Sequence, residues 1–265
     1  MSIQILIAVF LAIIIVFISL RYKLLTKSGA AATFILAILV FGFGGWAWAI
    51  PLLAFFFLSS FLSKTGKEVK QKFKNTFEKT GVRDWGQVIA NGGLPGIFVF
   101  LYALTPDKLY YQFYLVALAA VTADTWATEI GVLFSAKPRF ITNFKTVEPG
   151  ISGAVSLLGT LASLVGSFLI SAIGLLFLKI DAYQFLLITI SGFLGSIIDS
   201  YIGATIQGQY QCTVCNDYTE RKVHCGQPAK LIKGYRFINN DLVNFTAALV
   251  SIFIYFLLVH LQSAV

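Results

Sequence analysis

Ile3-Gln4-Ile5-Leu6-Ile7-Ala8-Val9-Phe10-Leu11-Ala12-Ile13-Ile14-Ile15-Val16-Phe17-Ile18-Ser19-Leu20 decides the fold class. A helix crossing the hydrocarbon core of a bilayer needs about 20 mostly apolar residues, and this run supplies one crossing. No basic leader precedes it and no small-residue cleavage site follows it, so it is expected to be a retained span and not a signal peptide. Seven more apolar stretches follow, at about 28–42, 46–63, 87–105, 111–134, 152–179, 182–206 and 241–262. Eight spans of this size use roughly 160 residues, which matches the 57% apolar share of the 265-residue chain. Only 12% of the residues are charged and the mean hydropathy is +0.81. Those values exclude a soluble globular enzyme, a disordered tail and a disulfide-stapled secreted module. The expected architecture is all-α: one polytopic membrane domain over 1–265 with about eight transmembrane helices.

Charge placement tests the count. With eight spans, the loops on one side are about 21–27, 64–86, 135–151 and 207–240, and they hold 18 of the 20 Lys and Arg residues. The other side holds only Lys108 and Lys179. A split of this kind is the positive-inside signature. It puts the four larger loops in the cytoplasm and both termini outside, and the expected location is a prokaryotic cell membrane. The lysine-rich run at 64–79 is explained by this bias and by attraction to anionic lipid.

Ionisable residues inside a span cost about 2.5–3.5 kcal/mol each on insertion scales, so they are functional candidates. Asp124 and Glu129 lie in the cytoplasmic half of the fifth span, Asp199 in the cytoplasmic third of the seventh, and Asn91 about two turns into the fourth. Asp241 and Asn244 open the eighth behind Asn239-Asn240. Polarity on one side describes a cytoplasm-facing cavity better than a through-pore. Arg83, Gln87 and Asn91 share a helical stripe if the helix begins by Arg83. Gly92-Gly93-Leu94-Pro95-Gly96 then predicts a broken fourth helix, lining a cavity or serving as a packing kink. Gly192, Gly195, Asp199 and Gly203 form a small-residue stripe that admits a close neighbour. Asp124, Thr128 and Gly131 share one face, whereas Glu129 lies about 140° from Asp124 on a straight helix. The loop with Lys137, Arg139 and Lys145 follows these acids directly. It suits a phosphate-bearing substrate held with a divalent cation, or it reflects positive-inside bias alone.

Cys212-x2-Cys215 followed by His224-Cys225 has half of a zinc-binding spacing. A structural Zn2+ and plain thiols are both open, and adjacent His224 and Cys225 are an awkward ligand pair. There is no P-loop, HExxH or G-x-S-x-G.

As an ordered set, Arg83 to Gly93, Ala123 to Glu129, Pro138-Arg139, Gly150 to Gly159, Gly195 to Gln207 and Asn239-Asn240-Asp241 resemble the phytyl-phosphate kinase family of integral membrane proteins. That family includes the plant tocopherol-pathway enzyme and the animal transmembrane protein nineteen, and is distantly similar to polyprenol kinases and phosphatidate cytidylyltransferases. The resemblance implies Mg2+-dependent phosphoryl transfer from a nucleoside triphosphate, with CTP as the candidate, to an isoprenyl monophosphate. Asp124 and Asp199 would then be Mg2+ ligands with Glu129 in support. Arg83, Lys137, Arg139 and Lys145 would hold phosphates, and Gln87, Asn91, Thr128, Asn240 and Asp241 would complete the polar wall. The partners expected are the bilayer, a prenyl monophosphate and a nucleotide, with no nucleic acid. Two alternatives stay open: a cytidylyltransferase acting on a lipid phosphate, and a prenyl-phosphate transporter or flippase.

Overall fold

The computed structural model describes residues 2–66, 68–69, 81–134, 137–177 and 180–263. Lys67, Lys70, Lys72, Lys74, Lys79 and Lys179 lie outside those residues, so most of the 64–79 basic run does too. Eight helices among the described residues are long and apolar enough to cross a membrane. They are α1 (Ser2–Arg21), α2 (Lys27–Leu39), α3 (Trp46–Lys64), α4 (Trp85–Leu104), α5 (Lys108–Phe134), α6 (Leu157–Phe177), α7 (Ala182–Thr205) and α8 (Asn240–Ser263). A π-helical turn, Val40–Gly44, extends α2 to full span length.

Two expectations need correction. The fourth helix is not broken: α4 runs continuously through Pro95. A proline removes one backbone hydrogen bond, and the turns on both sides remain helical here. The irregular span is the second, where the π turn ends at Gly45 with φ +70°. The sixth span is shorter than 152–179, because Ala154–Val155 is a strand and the helix begins at Leu157.

α5 is the central helix, packed against α3, α4, α6, α7 and α8, with α1 and α2 set outside α4. Ile3, Leu6, Phe10, Ile13 and Phe17 of α1 stay exposed. At helical spacing they make one lipid-facing stripe. Small residues bring the inner helices together. A Cβ on Gly192 would stand 2.5 Å from the Ala119 Cβ, and one on Gly195 2.7 Å from the Ala120 Cβ. The glycine stripe of α7 therefore seats that helix directly on α5. Gly159 and Gly166 of α6 do the same, with added Cβ atoms 2.8 Å from the Ala127 carbonyl oxygen and 3.3 Å from that of Thr122.

The loops carry short antiparallel strands. β1 (Arg139–Phe140) pairs with β2 (Ala154–Val155). Between α7 and α8, β3 (Gln209–Gln211) is flanked by β4 (Tyr218–Thr219) and β7 (Lys230–Lys233), and β5 (Val223–His224) pairs with β6 (Gln227–Pro228). Loop 22–26 is tied to the start of α4 by two backbone bonds, Arg83 N to Leu24 O at 2.9 Å and Thr26 N to Arg83 O at 3.0 Å.

Candidate active site

One large cavity, of about 660 Å³, opens among the loops. Its wall takes residues from all four long loops: Tyr22 and Lys23, Gly81 to Arg83, Pro138 and Pro149 to Ser156, and Glu220. These are the loops that the charge count put on one side.

Among the polar residues lining it are Asn91 from α4, Asp124 from α5, Asp199 from α7 and Asn244 from α8. The Asp124 and Asp199 carboxyl groups lie side by side there. Asp199 and Asn91 are each only 8% exposed. In one orientation of its amide Asn244 donates from Nδ2 to Asn91 Oδ1 at 3.3 Å; in the other that nitrogen donates to Asp199 Oδ2 at 2.9 Å and to the Asn240 carbonyl at 3.2 Å. Neighbouring carboxylates repel one another as anions, and a proton or a cation held between them would relieve that repulsion.

A second polar group lies one to two turns nearer the mouth of α5. Ser63 of α3 donates to Glu129. The Arg83 guanidinium packs over Phe55 and Phe56, 5.0 and 5.7 Å from their ring centres. Burial pulls it down to about 10, with Glu129 acting in the opposite sense, so it stays cationic at neutral pH. The 140° between Asp124 and Glu129 is thereby accounted for. The two acids point to different walls of one cavity, Asp124 toward α7 and Glu129 toward α3 and Arg83.

Gln87, Thr128 and Asn240 also line the cavity. Gln87 lies in the capping box of α4, its backbone N–H bonded to Asp84 Oδ1 at 3.0 Å. That box starts the helix after Arg83, not at it. Lys137, Arg139, Lys145 and Asp241 are not part of the wall, and Lys137, Arg139 and Lys145 are exposed. Asp241 sits in the first turn of α8, and Asn244 takes the inward position beside Asn240, one helical turn on.

Several lining residues were not selected from the sequence. Lys23 and Lys64 supply cations at the wall, Lys64 donating to the Tyr22 carbonyl. Their sequence signal was present but indistinguishable from positive-inside bias. The segment Pro149-Gly150-Ile151-Ser152-Gly153-Ala154-Val155-Ser156 forms a wall ending at the start of α6, where Ser156 Oγ accepts from Gly159 N at 3.1 Å. Gly153 has φ +82°, and a Cβ there would collide with Ala204, so the turn requires glycine. The end of this wall at a helix N-terminus suits an anion. Glu220 enters from the far loop, accepting from Ser152 and, at 3.1 Å, from Gln207 Nε2.

The other end of α5 is closed. Leu115, Val116, Ala117, Leu118 and Ala119 are fully buried. Tyr111 donates to the Ala47 carbonyl at 3.0 Å, Tyr114 donates to that of Trp48, and Tyr255 donates to Gln112 at 2.9 Å.

The sequence pattern of the family described as integral membrane protein DUF92 matches residues 10–252. Among curated proteins, the chain is 36% identical over 156 residues to uncharacterized membrane protein MJ0933 of Methanocaldococcus jannaschii, covering 59% of this chain and 64% of that one. It is 32% identical over 185 residues to Protein PGR of Arabidopsis thaliana, covering 64% and 63%. It is 28% identical over 155 residues to Protein VTE6, chloroplastic, of the same plant, covering 57% and 46%. The chain thus spans less than two thirds of the length of these relatives. No solved structure matches it.

Proposed function

The chain belongs to the DUF92 family of integral membrane proteins, and from that footing we propose that it is a Mg2+-dependent kinase of an isoprenyl monophosphate. The observation that carries this reading is the placement of Asp124 and Asp199 side by side in a cavity also lined by Arg83, Lys23 and Lys64. Adjacent hard oxygen donors fit Mg2+, with Asn244 and Asn240 beside them. Bound there, Mg2+ would supply the charge neutralisation that phosphoryl transfer needs. The resemblance to phytyl-phosphate kinases and the relation to Protein VTE6 favour a phytyl-like acceptor, and the charge count favours a cavity facing the cytoplasm, where CTP is available.

The chain's own residues would act by binding and orienting. Arg83, whose charge Glu129 supports, would hold one phosphate, and Lys23 and Lys64 would neutralise phosphates in the same cavity. The glycine-containing wall and the first N–H groups of α6 face the other phosphate. An oxygen of the prenyl monophosphate attacks the γ-phosphorus as the bond to the β-phosphate oxygen breaks, giving a prenyl diphosphate and a nucleoside diphosphate. The attacking phosphate is already anionic, so no general base is needed. Transport is disfavoured because alternating access needs a second exit, and the opposite half of α5 is packed shut.

The test is protein in detergent with Mg2+, CTP and phytyl monophosphate, followed by product analysis. Phytyl diphosphate and CDP are expected. Pyrophosphate release would replace the proposal with cytidylyl transfer. Absence of turnover, with prenyl phosphate crossing vesicles that carry the protein, would replace it with transport.

A further inference from the structure

We propose that Cys212, Cys215, His224 and Cys225 bind one tetrahedral Zn2+ ion, which fixes the loop between α7 and α8. This site is separate from the Asp124–Asp199 cavity and does not rest on the kinase reading. The four ligand atoms all lie within 4.8 Å of one another. Zinc–sulfur bonds of about 2.3 Å and zinc–nitrogen bonds of about 2.0–2.1 Å in a tetrahedron set S···S near 3.8 Å and S···N near 3.5 Å. The structure has Cys215 Sγ to Cys225 Sγ at 3.8 Å, and His224 Nδ1 at 3.5 Å from Cys215 Sγ and 3.4 Å from Cys225 Sγ. A disulfide would need about 2.05 Å.

The local backbone is built for the same purpose. Val214 N and Cys215 N point at Cys212 Sγ from 3.4 and 3.5 Å, as donors that stabilise a thiolate. Asn216 N bonds to the Cys212 carbonyl at 3.1 Å, and Asn216 has φ +62°. This folds Cys-x2-Cys into a tight turn that returns the second sulfur beside the first. The adjacency of His224 and Cys225, awkward on an extended strand, is resolved at the β5–β6 turn. Cys225 has φ +51° and Gly226 +75°, and this left-handed pair swings Cys225 Sγ back to the histidine ring. A side-chain-bearing residue is uncommon in that region, and a bond from its sulfur to a metal gives the strained turn a reason.

The ion would have a structural role. All four coordination positions are filled by the chain, as in closed zinc sites. The loop it pins carries Glu220, between β4 and β5, whose carboxylate accepts from Ser152 and Gln207.

Metal analysis of the detergent-purified chain, expressed with zinc supplied, tests this without any turnover assay. One zinc per chain is expected, and it is lost in the Cys215→Ser, Cys225→Ser double variant. Cobalt loading of the wild-type chain, which needs no variant to fold, is expected to give thiolate-to-metal charge-transfer bands of a tetrahedral site. Chelation is expected to open the 212–233 segment to protease. Absence of zinc, iron in its place, or a Cys215–Cys225 disulfide under anaerobic purification would each overturn the proposal. Zinc present in a chain with no kinase activity would leave this site standing and remove only the kinase reading.

Discussion

The two halves of α5 are one helix made of opposite materials. From Tyr111 to Ala123 nearly every residue is buried, and its tyrosines bond to backbone carbonyls of α3. From Asp124 onward, residues of the same helix face a cavity of about 660 Å³. The change occurs between Ala123, fully buried, and Asp124. In a bilayer the apolar surroundings give helices little hydrophobic reason to associate, so close packing must hold them together. The closed half provides that packing. The open half can then keep a wide, polar space that would otherwise collapse. Rigidity at one end is what permits a cavity at the other.

Breaking the open half is expected to have the largest effect. Asp124→Asn and Asp199→Asn should each lower turnover by about 10²–10³-fold while the melting temperature in detergent holds or rises, because one of two facing carboxylates is gone. Full activity in both variants would remove the metal assignment. Breaking the closed half should do the reverse. Leu118→Ala should cost about 2–5 kcal/mol, seen as a lower melting temperature, with KM unchanged in the folded fraction. Arg83→Lys tests the cationic part of the wall. A planar guanidinium grips a phosphate at two points and an ammonium does not. KM for the phosphate it holds should rise about 10-fold, near the worth of one charge-assisted hydrogen bond. The smallest effect sharpens the boundary between site and surface. Lys64→Ala should raise KM about threefold at low salt, whereas exposed Lys145→Ala should leave it within about twofold, as exposed charges contribute little.

The spans and their alternation were legible because burial in lipid demands long apolar runs, and the run 3–20 cannot mean much else. The meeting of α5 and α7 was legible in outline, since Gly192, Gly195 and Gly203 around Asp199 announce a close neighbour. What composition could not convey was direction. Lys137, Arg139 and Lys145 are as basic as Lys23 and Lys64, and only the folded loops distinguish those at the cavity from those at the surface. Pro95 misled for a related reason: a proline marks a lost hydrogen bond, and whether the helix bends depends on the neighbours that hold it. Asn244 was visible as a partner of Asp241 by spacing, but which of the two turns inward is decided by where α8 lies against α4 and α7. Glu220 gave no signal, because its loop reaches the cavity only after the whole bundle has formed.

The cavity wall takes in Tyr22 near its first residues and Asn244 near its last. During synthesis at the membrane, nearly all of this chain must therefore be threaded and docked before any ligand has a place to rest. A chain ending before the eighth helix would leave Asp124 and Asp199 without Asn240 and Asn244 beside them. Half-made copies should consequently be inert, and competence should arrive in a single late event when the eighth helix closes the ring.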